Sequence, residues 1–343
     1  MPQASSVSVI IRTYNQHALL KEAIESALNQ TLRPAEIIVV DDASTDETPL
    51  MMRDYEDEAT IQYVRLEENQ GMLRTGQIGL ERSAGDLIAF LDNDDLWLPA
   101  HLEKCVAAIE SKAGAALAFS RYGLIDLQGH MLVEQVREKP LSVPPLKTLL
   151  FKKVIATPTR SVYPRRVLLE LGGIRPILWD WVYPVLIAAK YPKGIVQLPE
   201  CTALFRLHGG QSYSNPEKLL NSLLESTEYI FNELPAEYQH LKPRVVAMNL
   251  LHSAVFYWQA EKNREAWECL RRAVRTDSRC TTTKDFRVAF TRLLIPPRLG
   301  RLARNWKRKT QQKRSASSLH LSQAIRDKEA DRSAPPKRPS GEQ

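Results

Sequence analysis

Two aspartates one residue apart, Asp92 and Asp94, follow directly on the apolar run Ala89-Phe90-Leu91, with Asn93 between them and Asp95 behind. Carboxylates this close repel one another, and each loses hydration where the chain leaves a buried strand. A divalent cation offsets both costs. Mg²⁺ characteristically takes one or two carboxylates and completes its shell with substrate phosphates. The competing reading of an Asp-x-Asp is a solvated turn, because Asn and Asp are common turn residues. The strand before the motif and Leu96-Trp97-Leu98-Pro99 after it favour a site.

Two more polar clusters end apolar runs. Thr13-Tyr14-Asn15 closes the β-branched stretch that begins at Ser6, and Asp41-Asp42 closes Glu36–Val40. Ser44-Thr45-Asp46-Glu47 fits a capping box, which predicts a helix through about Tyr55. Asp42, next to the strand end, is placed to accept a hydrogen bond from a nucleobase imide; the alternative is a plain turn.

The elements that position these clusters alternate. Strands are expected over 6–13, 36–40, 61–66, 86–91 and 115–120. Helices are expected over 18–30, 76–84 and from Pro99 onward, each with an apolar stripe at helical spacing. Continuous apolar strands separated by helices indicate a largely parallel sheet covered on both faces. Such sheets bind ligands beyond the carboxyl ends of their strands, so the three polar clusters should meet in one crevice. From Ser142 to Ser214 the pattern is irregular, apart from an apolar, helix-like stretch over 182–191 that contains Pro184. Residues 217–275 are helix-rich, and no internal repeat is evident.

Net charge is +7, but Arg292–Gln343 holds 14 Lys/Arg against 4 Asp/Glu, a local +10 that leaves the body at −3. The basic character therefore belongs to the tail and says nothing about the crevice. Cys105, Cys201, Cys269 and Cys280 form no Cys-x-x-Cys pair and fit no zinc spacing, as expected of free thiols in a reducing compartment. No signal-like or membrane-spanning run is present, so a cytoplasmic protein is expected, peripheral to the inner face of the plasma membrane if the tail attaches it. Ser315–Gln343 reads as disordered. A nucleic-acid partner is not expected, since the basic tail lacks interleaved aromatics or a recognised module.

The segments SVSVIIRTYNQ, EIIVVDDASTDET, GDLIAFLDNDDLWLP and WDW…AAKYP, in this order and spacing, resemble the family 2 glycosyltransferases of GT-A fold. The resemblance covers residues 6–214. It implies an α/β GT-A domain with a central, mostly parallel sheet over 1–215; the helical pattern and the charge beyond it indicate a helical extension over 216–290 and a basic tail over 291–343. It implies an inverting, Mg²⁺- or Mn²⁺-dependent transfer from a nucleotide-diphosphate sugar to a saccharide or lipid-linked acceptor, in cell-surface polysaccharide or glycolipid synthesis. By motif, Thr13, Tyr14, Asn15 and Asp42 would hold the nucleotide. Asp92, Asn93 and Asp94 would meet the ribose, diphosphate and metal. His208 would reach the diphosphate or metal from a loop that Gly209 and Gly210 let close, with Arg206 serving the same phosphates; the alternative for His208 is a structural role. Asp180 would be the catalytic base.

The chemistry agrees with that allocation. A departing nucleoside diphosphate gathers negative charge that a cation neutralises, and the acceptor hydroxyl needs a carboxylate to take its proton. Trp179 and Trp181 are expected to wall Asp180, raise its pKa and stack on sugar rings; otherwise Asp180 caps the following helix. Two departures stand out. Arg12 replaces the family's frequent Pro and is expected to touch the diphosphate or lie on the surface. Trp179 stands where a Glu is common, which bears on acceptor binding. A non-catalytic nucleotide-sugar-binding protein of the same fold is the alternative, and would require a broken acidic set.

Overall fold

The computed structural model describes residues 5–152, 154–155, 157–175, 178–208 and 215–296. Its first half alternates β1 (Val7–Thr13), α1 (His17–Leu28), β2 (Glu36–Asp41), α2 (Thr48–Met51), β3 (Ile61–Arg65), α3 (Met72–Arg82), β4 (Leu87–Asp92), β5 (Leu96–Trp97), α4 (His101–Glu110) and β6 (Leu117–Ile125). Then come β7 (Met131–Val133), α5 (Leu146–Phe151), β8 (Ser161–Pro164), α6 (Arg165–Glu170), α7 (Trp179–Lys190) and β9 (Ile195–Arg206). Nine strands among the described residues form one sheet in the order β3-β2-β1-β4-β8-β6-β9-β5, with β7 on β6.

β1 pairs in parallel with β2 and β4, and β2 in parallel with β3. All seven residues of β1 are buried, as expected of a β-branched run covered on both faces. The register brings Arg12 opposite Asp92, and Thr13 opposite Asp41. Ends of parallel strands therefore carry all three polar clusters to one edge. Beyond β4 the sheet turns mixed: β8 is antiparallel to both β4 and β6, while β9 runs parallel to β6.

Two expectations change here. Ser44 does not cap a helix: its Oγ accepts the Asn15 N–H at 2.7 Å, and the helix starts only at Thr48, whose N–H and hydroxyl both reach Asp46 Oδ1. The irregular region holds the short β8 and the 12-residue β9. β9 escapes pattern reading because Pro199 and Glu200 interrupt its apolar residues.

The helical part comprises α8 (Pro216–Glu233), α9 (Lys242–Gln259), α10 (Asn263–Thr276) and α11 (Lys284–Leu293). One apolar core crosses residue 215: Trp181, Val182 and Val185 of α7 pack with Leu219, Leu223 and Ile230 of α8 and Val245 of α9. The extension is thus anchored on the helix that carries Asp180. Within the α9–α10 hairpin, Leu250, Ala254, Tyr257, Ala266 and Leu270 are all buried.

Candidate active site

β4 ends at Asp92, and the Asp95 N–H donates back to Asp92 O at 3.0 Å, closing a tight turn. This turn fans the carboxylates apart, and each meets a different partner. Asp92 Oδ1 pairs with an Arg12 guanidinium nitrogen, and its Oδ2 accepts from Thr157 Oγ1 at 3.1 Å. Asn93 Nδ2 donates to Thr13 Oγ1 at 3.1 Å. Asp94 Oδ2 lies 2.7 Å from His208 Nε2. Asp95 is wholly buried and accepts from Thr159 Oγ1 at 2.8 Å and from the Arg206 N–H at 3.0 Å.

The electrostatics follow from that fan. Burial raises the Asp94 carboxyl above the ordinary range and the charge of Asp92 adds to this, while the His208 contact opposes it. Burial also holds the Asp95 carboxyl well above its usual value, reinforced by Asp94 and then Asp92. Asp95 is therefore a structural, hydrogen-bonded group, while Asp92 and Asp94 keep 25% and 22% of their side chains exposed at this edge.

Arg12 is neither at the surface nor free for a phosphate. Its side chain is only 6% exposed, donates to Met72 O at 3.2 Å, and lies 5.2 Å above the Trp179 ring. This arginine neutralises Asp92 from the neighbouring strand, an arrangement that the β1–β4 register alone makes possible. Arg206 is likewise fully buried. It donates to Asp94 O at 2.8 Å, Leu127 O at 2.9 Å and Glu22 Oε2 at 2.6 Å. It braces the backbone of the acidic turn, with its guanidinium directed into the protein.

Tyr14 presents a ring that is 49% exposed, and Asn15, at φ 59°, turns its Oδ1 to the N–H of Thr45 at 2.9 Å. Asp42 is buried, and its two oxygens accept from the N–H groups of Gln70 and Gly71 at 2.6 and 2.8 Å. It fastens the segment leading into α3 to the end of β2.

On the other side, Asp180 is the second residue of α7 and half-buried. Its neighbours do not wall it. Successive side chains on a helix diverge by about 100°, so Trp179 enters the core beside Phe90 (centroids 4.5 Å apart) while Trp181 enters another, its Nε1 donating to Leu149 O at 2.9 Å. At 4% and 2% exposure these indoles have no face to offer a sugar. Burial lifts the Tyr163 phenol above its usual range, and the charge of Asp180 contributes, which puts that carboxylate near the β8 side of the sheet.

Thr157, Thr159 and Arg160 carry no recognisable signal in the sequence. Thr159 Oγ1 also accepts the Asp92 N–H at 3.1 Å, and Trp97 Nε1 donates to Thr159 O at 2.5 Å. The buried Arg160 ties this turn to Glu138 through two bonds of 2.8 and 2.6 Å. Gly209 and Gly210 lie outside the described residues.

A divalent cation fits the donor set in one particular sense. Among the described residues, no group of three or more His, Cys, Asp or Glu converges. The Asp94 carboxylate and the His208 imidazole do converge, and an oxygen–nitrogen pair suits an ion that completes its shell with the oxygens of a diphosphate.

Residues 8–172 match the family described as "Glycosyl transferase family 2". An uncharacterised glycosyltransferase of Nostoc sp. is 26% identical over 277 residues, covering 76% of this chain and 86% of that protein. A Bacillus subtilis protein assigned to teichuronic acid biosynthesis, TuaG, is 37% identical over 124 residues, 36% of this chain and 49% of its own length, so the match spans about half of that relative. Among solved structures, Staphylococcus aureus TarS in complex with UDP-GlcNAc superposes with a TM-score of 0.58 at 22% identity, covering 79% of this chain and 81% of the other. The mannosyltransferase PcManGT of Pyrobaculum calidifontis, in complex with GDP-Man and Mn²⁺, gives 0.55 at 18%, covering 85% of each. Both likenesses concern the fold, a curled and mostly parallel GT-A sheet with helices.

Proposed function

Because the chain belongs to the family 2 glycosyltransferases over residues 8–172, we propose that it transfers a sugar from a nucleotide-diphosphate donor to an acceptor hydroxyl with inversion, in the synthesis of a cell-surface polysaccharide or glycolipid. The observation that carries this reading is the convergence of Asp94 and His208 at the carboxyl ends of parallel strands, beside the open ring of Tyr14. The donor binds across that edge. Tyr14 offers a stacking face to the base. Asp42, whose carboxylate oxygens keep lone pairs beyond the bonds to Gln70 and Gly71, accepts from the base edge. Thr13, Asn15 and Asn93 line the path from base to diphosphate. Asp92, held by Arg12 and Thr157, offers its outer edge to the ribose. Arg206 acts at one remove, by setting the backbone of the Asp94 turn.

Asp94 and His208 would hold Mg²⁺ or Mn²⁺, which supplies Lewis-acid neutralisation of the departing diphosphate. Asp180 accepts the proton of the acceptor hydroxyl as its oxygen bonds to the anomeric carbon and the bond to the diphosphate breaks. Asp180 lies in the first turn of α7, near the positive end of the helix dipole, a position that favours negative charge. TuaG is named for a wall polymer, which supports the cell-surface setting.

The test is release of nucleoside diphosphate from a panel of nucleotide sugars in the presence of Mn²⁺. One donor should be hydrolysed or transferred, EDTA should stop it, and Asp94→Ala should lower turnover by about 10²–10³-fold, the weight of one electrostatic stabiliser. Full turnover in EDTA and in Asp94→Ala would overturn the cation assignment.

A further inference from the structure

Asp94 and His208 come from distant parts of the chain, and Arg206 connects them. It stands two residues before His208, at the end of β9, and is wholly buried. Its Nε donates to Asp94 O at 2.8 Å. The peptide unit joining Asp94 to Asp95 is thereby held from both sides, since the Asp95 N–H donates to Asp92 O at 3.0 Å. A peptide unit is planar, so holding its C=O and its N–H fixes the direction in which the Asp94 side chain leaves the turn. On the other side, the Arg206 N–H donates to Asp95 Oδ1 at 3.0 Å and the Leu207 N–H to Ile125 O at 2.9 Å. These bonds carry the end of β9 up to His208.

The guanidinium must itself be held. Nη1 donates to Leu127 O at 2.9 Å and to Asp126 O at 3.3 Å, in the turn after β6, and Nη2 donates to Glu22 Oε2 at 2.6 Å. The two carbonyls supply hydrogen bonds, whereas Glu22 also supplies a negative charge. Glu22 belongs to α1, and its side chain is 47% exposed. Most ion pairs on a helix surface contribute little. Lys21 with Asp54, beginning one residue earlier on α1, is such a pair: 3.2 Å long and more than half exposed at both ends. The Glu22 pair differs because its cation is fully desolvated and its bond is charge-assisted. A guanidinium is a rigid planar fork, so the bond at Nη2 constrains the angle at which Nε meets Asp94 O.

We propose that Glu22 is a positioning residue for the divalent-cation site: through Arg206 it sets the direction of Asp94 and the approach of His208, and with them the affinity of the pair for Mg²⁺ or Mn²⁺. The inference rests on the cation reading proposed above. Groups behind metal ligands orient those ligands, and losing one characteristically costs roughly 10–100-fold in metal affinity.

The experiment measures Mn²⁺ binding to the full chain by the EPR signal of the free ion, alone and with UDP or GDP, at a temperature where every variant is folded. Glu22→Ala should weaken Mn²⁺ binding by about tenfold or more. Glu22→Gln removes the charge but keeps an acceptor for the guanidinium, so it should fall between the parent and Glu22→Ala. It becomes the deciding variant should Glu22→Ala not fold, and parent-like affinity would then overturn the proposal. Lys21→Ala removes the neighbouring surface pair and should bind Mn²⁺ like the parent. Asp94→Ala separates the two readings. Parent binding that Asp94→Ala does not weaken removes the cation site and this inference with it. Binding that needs Asp94 but is unchanged in Glu22→Ala removes this inference alone. A purely structural Glu22 would lower the melting temperature and leave the affinity of the folded protein unchanged, and an equal loss in Lys21→Ala would assign the effect to α1 in general; either result overturns the proposal.

Discussion

The two sides of the crevice are built differently. On the side we propose for the donor, Thr13, Asp42 and Asp92 sit at the ends of parallel strands, and the ladder that pairs Arg12 with Asp92 and Thr13 with Asp41 sets their mutual positions. Asp92 and Asp95 each accept from a threonine of the 157–160 turn, Thr13 accepts from Asn93, and Asp42 accepts from the loop before α3. On the side we propose for the acceptor, Asp180 rides on the first turn of a helix whose adjacent residues are buried in two separate cores. The donor side is held by hydrogen bonds, the acceptor side by apolar packing. Mutations should therefore separate chemistry from stability more cleanly on the acceptor side at Asp180, and fail to separate them at the indoles beside it.

The largest expected effect tests that separation directly. Asp180→Asn should reduce turnover by about 10²–10⁴-fold, the usual weight of a positioned general base. Donor KM and melting temperature should stay near those of the parent. Steady-state kinetics with the donor found by the panel reads this; retained turnover would return Asp180 to a helix-capping role.

Next comes the packing itself. Trp179→Ala should cost about 3–5 kcal/mol of stability, as expected for removing a buried indole, measured by denaturant unfolding. Were Trp179 instead a sugar platform, the acceptor KM would rise while stability held. Its contacts with Phe90 and with the Arg12 guanidinium argue for the first outcome.

A smaller effect sharpens the donor side. Arg12→Met keeps the stem volume but leaves Asp92 without its cation. Breaking a buried pair costs several kcal/mol, yet Asp92 is 25% exposed and keeps Thr157, so about 1–3 kcal/mol is expected. The comparison variant Asp92→Asn/Arg12→Met should recover part of that loss, and a double-mutant cycle measures the coupling.

The last is a slope, small over any one pH unit. His101 is fully buried, with Nδ1 2.8 Å from Thr202 Oγ1 and its ring stacked on Trp97 at 4.7 Å. Burial pushes it down to about 3 from an ordinary 6.5, and the charge of Arg160 adds to this. The native state thus keeps it neutral while the unfolded chain takes up a proton below about pH 6.5. Its contribution to stability is present above that pH and is lost as pH falls toward 3. His101→Gln should flatten the acid limb of stability by about 1.4 kcal/mol per pH unit between pH 6 and 4.

Much of this molecule was legible without coordinates, for physical reasons that differ by region. β1, β2 and β4 are continuous apolar runs ended by polar clusters, and that pattern alone implies parallel strands whose tips share an edge. Asp94 stands out because no turn needs so many carboxylates after a buried strand. Local pattern says far less where partners are distant in the chain. Arg206 looks like a phosphate ligand until Glu22, 184 residues away, takes its guanidinium. Trp179 and Trp181 look like walls until the helix turns them into two separate cores. Thr157 and Thr159 look like nothing until the chain folds them onto Asp92 and Asp95. The sequence by itself determined the parallel half of the sheet, its polar edge and the types of group available there, since strand burial and strand ending are local properties. Only the tertiary structure decided which of those groups face the crevice and which are consumed in bracing it, because hydrogen-bond partners are assigned by proximity in space.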